Sequence, residues 1–268
     1  MNAQPMLSTH QRSAGHASAR FAQRSGRAAL LDLRQQGSAK AIALAPCEIV
    51  FLNTSGGLTG GDRLDYHLTL GAGCRMIATT QTAERAYSST SGAARMNVDM
   101  TLGEGAHLDW LPQETILFDT AQLRRRTRIT LAENATCLMA ETVVLGRAAM
   151  GETVSALDFH DWRQISRGNA PLHLEALDLN AARLAAGAAG LNGARAFATV
   201  VMVAPNAADA LGPVRAILGD TQVRAAASAL QERLVIRLMA PDGWPLRRKL
   251  AEILTLLRRA PLPRVWQI

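Results

Sequence analysis

Six carboxylic acids stand among apolar or small neighbours and are the side chains best placed to do chemistry. They are Asp62 after a double glycine, Glu84 in QTAER, Glu114 in LPQETILFD, Glu141 ahead of TVVLGR, Glu152 in AMGE and Glu175 in LHLEALDL. Side chains two apart on a strand share a face, so Glu141 goes with Met139, and Glu175 goes with His173, opposite Leu172 and Leu174. Burying a carboxylate is costly unless it is paired, hydrated or bound to a cation. Any one of these acids is accounted for by a salt bridge to one of the many arginines. Taken as a set, they can also line a hydrated path for a cation.

Other chemistries lack their residues. The segment NTSGGLTGGDRL at 53–64 is rich in glycine, but it has neither the Gly-Lys-Ser/Thr ending of a Walker A loop nor GxGxxG spacing, so no nucleotide site is read there. No GxSxG elbow and no HExxH helix occur, and no catalytic residue is expected. His10, His16, His67, His107, His160 and His173 are scattered without ligand spacing. Cys47, Cys74 and Cys137 are odd in number, far apart and without CxxC, which argues against a disulfide framework or a structural zinc site. The expectation is a reducing, cytoplasmic compartment and no tightly bound metal or cofactor.

The 268 residues are 48% hydrophobic and 19% charged, the balance of a folded globular chain. No apolar run reaches the roughly 20 residues that span a bilayer, so no membrane partner is expected. Net charge is +7, carried by arginine except at Lys40 and Lys249. A nucleic-acid partner is not expected, because acids and arginines are mixed along the chain and only 4% of residues are aromatic. The cluster Arg124, Arg125, Arg126 and Arg128 reads as a solvated strand face. Residues 1–31 contain no acid, and 1–18 are expected as a flexible tail.

The elements that position the acids are strands. Leu64, Tyr66, Leu68 and Leu70 alternate at period two, as do Met96, Val98, Met100 and Leu102. Three blocks repeat a strand-turn-strand unit: LTLGAGCRMIA at 68–78, MTLGEGAHLDW at 100–110 and ITLAENATCLM at 129–139. Their offsets are 32 and then 29 residues, and a unit that cannot bury its apolar face alone must stack on its neighbours. A mainly β body over 19–200 follows, a β-solenoid-like or rolled β-sandwich. Gly71, Gly73, Gly103 and Gly105 are expected in turns needing positive φ, with Glu133 and Asn134 in the third copy. Residues 201–268 change character to a small α/β portion. Two helices are predicted, over 207–218 and 246–257, with a strand across Leu234, Ile236 and Leu238 between them.

The stretches NTSGGLTGGDRL at 53–64, TTQTAERAY at 79–87, WLPQETILFD at 110–119, LGRAAMGE at 145–152 and PLPRVW at 261–266 resemble, in order, the urease accessory protein UreD family, also called UreH. One departure is Ser38 in QGSAKA, where many relatives carry Cys. The resemblance implies a non-enzymatic maturation factor that docks on the urease apoprotein and, with UreF and the GTPase UreG, helps to install nickel. It implies a β-rich, solenoid-like fold with a water-filled tunnel through which Ni2+ passes transiently. The tunnel role falls on Asp62 in the matching GGD and Glu141 before the matching LGR, and further on Glu84 and Glu175. Gly56, Gly57, Gly60, Gly61, Gly146 and Gly151 of the matching motifs are expected to be structural. Spaced carboxylates suit transit, because nickel is held tightly by nitrogen and sulfur ligands and loosely by carboxylate and water. The alternative reading is a β-solenoid carbohydrate-active enzyme with paired carboxylates in a groove. The scarcity of aromatics for stacking sugars stands against it.

Overall fold

Alternation of apolar and polar residues at period two dictates strands with one buried face, and two such faces closing on each other make a sandwich. The computed structural model describes residues 12–45, 47–219 and 221–267. Its strands, in chain order, are β1 (Ala14–Arg24), β2 (Arg27–Gly37), β3 (Ala39–Ala45), β4 (Glu48–Asn53), β5 (Arg63–Leu70) and β6 (Arg75–Thr80). There follow β7 (Glu84–Ala86), β8 (Ala94–Leu102), β9 (His107–Leu111), β10 (Thr115–Leu117), β11 (Gln122–Leu131) and β12 (Thr136–Leu145). The remainder are β13 (Asp158–Arg167), β14 (Ala170–Asn180), β15 (Ala196–Val203), β16 (Arg224–Leu230) and β17 (Arg233–Ala240). The first sheet runs β14-β13-β11-β8-β5-β1-β2, and the second runs β16-β17-β15-β12-β9-β6-β4-β3.

The sequence repeat is the stacking register. β5, β8 and β11 are parallel neighbours with Leu70 opposite Leu102 and Leu102 opposite Leu131. In the facing sheet, Arg75 lies opposite His107 and His107 opposite Thr136. These are the offsets of 32 and 29 residues read from the chain, so each block is one coil that crosses from the first sheet to the second. The turns stack as well, with Gly73 donating to the carbonyl of Glu104 and Gly105 to that of Glu133. Gly73, Gly105 and Asn134 take positive φ at the same place in each coil, as expected. Gly71 and Gly103 do not. A Cβ on Gly103 would lie 2.7 Å from the Ala72 nitrogen, so its glycine answers to close approach of the stacked backbone. The third copy places Ala132 there.

The core between the sheets is built from the alternating residues, including Phe21, Leu64, Tyr66, Phe51, Trp110, Leu123, Met139 and Phe159. A second cluster covers the outer face of the second sheet, where Leu234, Ile236 and Leu238 of β17 meet the C-terminal helices. Helix α1 (Ala181–Leu184) is a single turn that the apolar spacing did not predict. The helix predicted at 207–218 is a 3-10 turn at 207–210 running into α2 (Leu211–Ile217). The last predicted helix starts three residues earlier, as α3 (Gly243–Arg258), because the Asp242 side chain caps it by accepting from the Trp244 N–H at 3.1 Å. Leu246, Leu250, Ile253 and Leu254 are its buried face. Each contributes about 1.5–3 kcal/mol by leaving water. β17 pairs antiparallel with β15, so the C-terminal portion continues the second sheet. β1 begins at Ala14, within the expected tail, of which residues 1–11 lie outside the described ones.

Candidate functional site

Three of the motif stretches converge on one partly open cavity of about 110 Å3 between the sheets, lined from 53–57, 80–85 and 110–115 together with Arg125 and Glu141. Asn53 ends β4 and shapes the loop after it. Its side-chain carbonyl accepts from the backbone N–H and hydroxyl of Ser55 at 3.0 and 2.7 Å. That leaves its amide to donate to both Glu84 oxygens at 3.2 and 3.3 Å. Gly57 lets this loop close down, since a Cβ there would sit 2.4 Å from the Tyr87 ring and 2.7 Å from the Arg85 carbonyl. Glu84 opens β7 at the cavity wall and has no guanidinium in an ion pair among the described residues. Burial pushes its carboxyl up to about 7, against the weaker opposing pull of the Asn53 amide.

Glu141 reaches the same cavity from β12 and is saturated. It accepts from Trp110 Nε1 and Thr127 Oγ1, each at 3.0 Å, and its other oxygen lies 3.0 Å from Arg125 Nη1. Arg125 is 4% exposed, which corrects its reading as part of a solvated arginine face. Arg126 and Arg128 turn outward to Asp99, and Arg124 to Asp158, while period two carries Arg125 inward with Leu123, Thr127 and Ile129. From Arg125 a line of alternating charge crosses the first sheet. Register sets Arg125 opposite Asp161 and Arg163 opposite Glu175. Arg125 Nη2 lies 2.6 Å from Asp161, Arg163 Nε 2.8 Å from Asp161, Arg163 Nη1 2.7 Å from Glu175, and Arg237 Nη2 2.8 Å from Glu175. Burial alone would raise the Asp161 carboxyl, but Arg125 and Arg163 outweigh it and hold the group well below the usual carboxylate range. Glu175 is lowered in the same way, its desolvation offset by Arg163 and Arg237.

The four candidate acids therefore occupy three environments. Glu84 and Glu141 share the cavity, and Glu175 stands at the far end of the ion line, beside a second cleft. Asp62 lines neither. Its oxygens accept from the Ser13 and Thr59 backbone N–H groups, each at 2.8 Å, which closes the 54–61 loop onto β1. Glu114 meets Arg247, and Glu152 binds Arg147. Gly56, Gly61, Gly146 and Gly151 take positive φ, and Gly60 packs against Ser89. Asp161 and Arg163 escaped sequence reasoning, although Phe159 and Ile165, at the same period, signal that both face inward. Among the described residues no three His, Cys, Asp or Glu side chains gather as a metal-holding group. The cavity thus sets one carboxylate held by neutral donors, Glu84, beside one held by a guanidinium, Glu141.

The site is thus a carboxylate-lined cavity inside a stacked-coil β-sandwich, with Glu141 held there by Trp110, Thr127 and Arg125. The sequence profile described as UreD urease accessory protein matches residues 13–267, so the chain belongs to that family. It is 57% identical to a urease accessory protein UreD of Cereibacter sphaeroides strain ATCC 17025 over 96% of both chains. Identity is 58% over the whole of both chains with that of strain ATCC 17029. It is 48% with the UreD of Paracoccus denitrificans, over 96% of this chain and 93% of the relative.

Proposed function

We propose that this protein is a non-enzymatic scaffold of urease maturation, acting in the cytoplasm with UreF and the GTPase UreG on the urease apoprotein and passing Ni2+ through its interior. The observation that carries the reading is the cavity in which three family motifs meet Glu84 and Glu141. Nickel is the cargo. Glu84, held by the Asn53 side-chain amide and the Arg85 backbone N–H and by no ion pair among the described residues, gives it a weak first station, and oxygen ligands without imidazole or thiolate let it go. Glu141, Asp161 and Glu175 continue the acids toward the far cleft, and their arginines keep them from trapping a divalent ion. Asp62 serves the path by holding the loop that carries Gly56 and Gly57 to the cavity wall.

The test is co-expression of the chain with the urease apoprotein, UreF and UreG. Nickel content and urea hydrolysis are measured for the wild type, for deletion of this chain alone, and for Glu84→Gln and Glu141→Gln variants shown to fold and to assemble. Deletion should abolish nickel loading, and both variants should slow it. Full loading without the chain overturns the scaffold reading. Normal loading with both variants overturns the path.

A further inference from the structure

The open end of the sandwich holds a second, larger cleft of about 400 Å3, within the ~300–1,000 Å3 typical of ligand pockets. It lies where the sheets stop matching. The first sheet ends at β14, whereas the second continues past β15 through β17 to β16. Leu177 of β14, Phe197 of β15 and Met239 of β17 give it an apolar body, with Leu191 beside them, and the small Ala226 of β16 leaves it room. Its charged groups do not balance. Among the described residues, Arg163, Arg224 and Arg237 line it with Glu175, and that carboxylate is already bound by Arg163 and Arg237.

Arg224 stands outside these pairs. Its Nη2 donates to the backbone carbonyls of Leu191 and Asn192 at 2.9 and 3.2 Å, which fixes the guanidinium at the cleft wall. Among the described residues no carboxylate forms an ion pair with it. A guanidinium fixed by backbone and left with unused N–H groups is an anion anchor.

We infer that this cleft binds a monocarboxylate with an apolar body, the carboxylate on Arg224 and the body against Leu177, Phe197 and Met239. The binding test does not rest on the maturation reading, since it uses the chain alone. Calorimetric titration of the full chain with octanoate, 1-octanol and acetate tests it. Octanoate should bind saturably, 1-octanol at least about tenfold more weakly, and acetate not measurably, since a charge-assisted pair and an apolar body are both needed. Arg224→Gln should weaken octanoate about tenfold and leave 1-octanol unchanged, and Ala226→Phe should abolish both by filling the cleft. Equal binding of octanoate and 1-octanol, octanoate binding untouched by Arg224→Gln, or no saturable octanoate binding overturns the inference.

Discussion

Removing the guanidinium at the centre of the buried ion line tests the structural reasoning most directly. In Arg125→Met the aliphatic stem is largely kept, while the guanidinium's place over the Phe159 ring, two short contacts to Asp161, one to Glu141 and one to Thr115 are lost. Glu141 keeps Trp110 and Thr127, and Asp161 keeps Arg163, but each becomes a buried anion short of a cation. Breaking such a pair by deleting one partner costs about 3–5 kcal/mol. At roughly 2–4 °C per kcal/mol for a chain of this size, the melting temperature should fall by about 6–20 °C. Neutralising the orphan should recover part of the loss, so Arg125→Met/Glu141→Gln should be more stable than Arg125→Met by about 1–2 kcal/mol, within the usual coupling range for contacting groups. Differential scanning calorimetry or thermal circular dichroism at pH 7.5 reads both values. A loss below about 1 kcal/mol for the single variant, or strictly additive effects in the pair, would refute the claim that charge pairing organises this interior.

Four further outcomes follow from the geometry. Because the Glu84 carboxyl is raised from 4.5 to about 7, the folded state binds the extra proton, so its contribution to stability is present below pH 4.5 and lost as pH rises through about 7. Glu84→Gln should match the wild type near pH 5 and exceed it by on the order of 2–3 kcal/mol at pH 8, read by urea denaturation. His173 works in the opposite window: with its folded value lowered from 6.5 to about 4, its contribution is present above pH 6.5 and lost as pH falls through about 4, so His173→Gln should flatten the acid limb of the same stability profile. Asp62→Ala strands two backbone N–H donors and should cost about 1–3 kcal/mol, with faster hydrogen exchange in the 54–61 loop; unchanged exchange would remove its loop-closing role. Gly60→Ala places a Cβ 2.0 Å from Ser89 Oγ and 2.5 Å from the Gly92 carbonyl, and should destabilise by about 1–3 kcal/mol on thermal melting.

The chain alone was enough to give the coil register, because a strand-turn-strand unit with one apolar face has only its own copies to stack on. The offsets of 32 and 29 residues therefore became the pairing of Leu70, Leu102 and Leu131. It also gave the buried stripe of α3 and the strand before it, since period 3.6 and period 2 are local properties. The inward acids were legible as inward, Glu141 from its place beside Met139. Their partners were not. Which arginine meets which carboxylate depends on lateral neighbours such as Arg125 and Asp161, brought together by cross-strand register over long stretches of chain. Asp62 shows the same limit from the other side: its sequence context suggested a path, but folding spends both oxygens on the Ser13 and Thr59 N–H groups. The far cleft exists only because one sheet outruns the other, a count of strands that no local pattern contains. Period and composition act over a few residues, whereas burial and charge pairing are decided by what the remainder of the chain brings alongside.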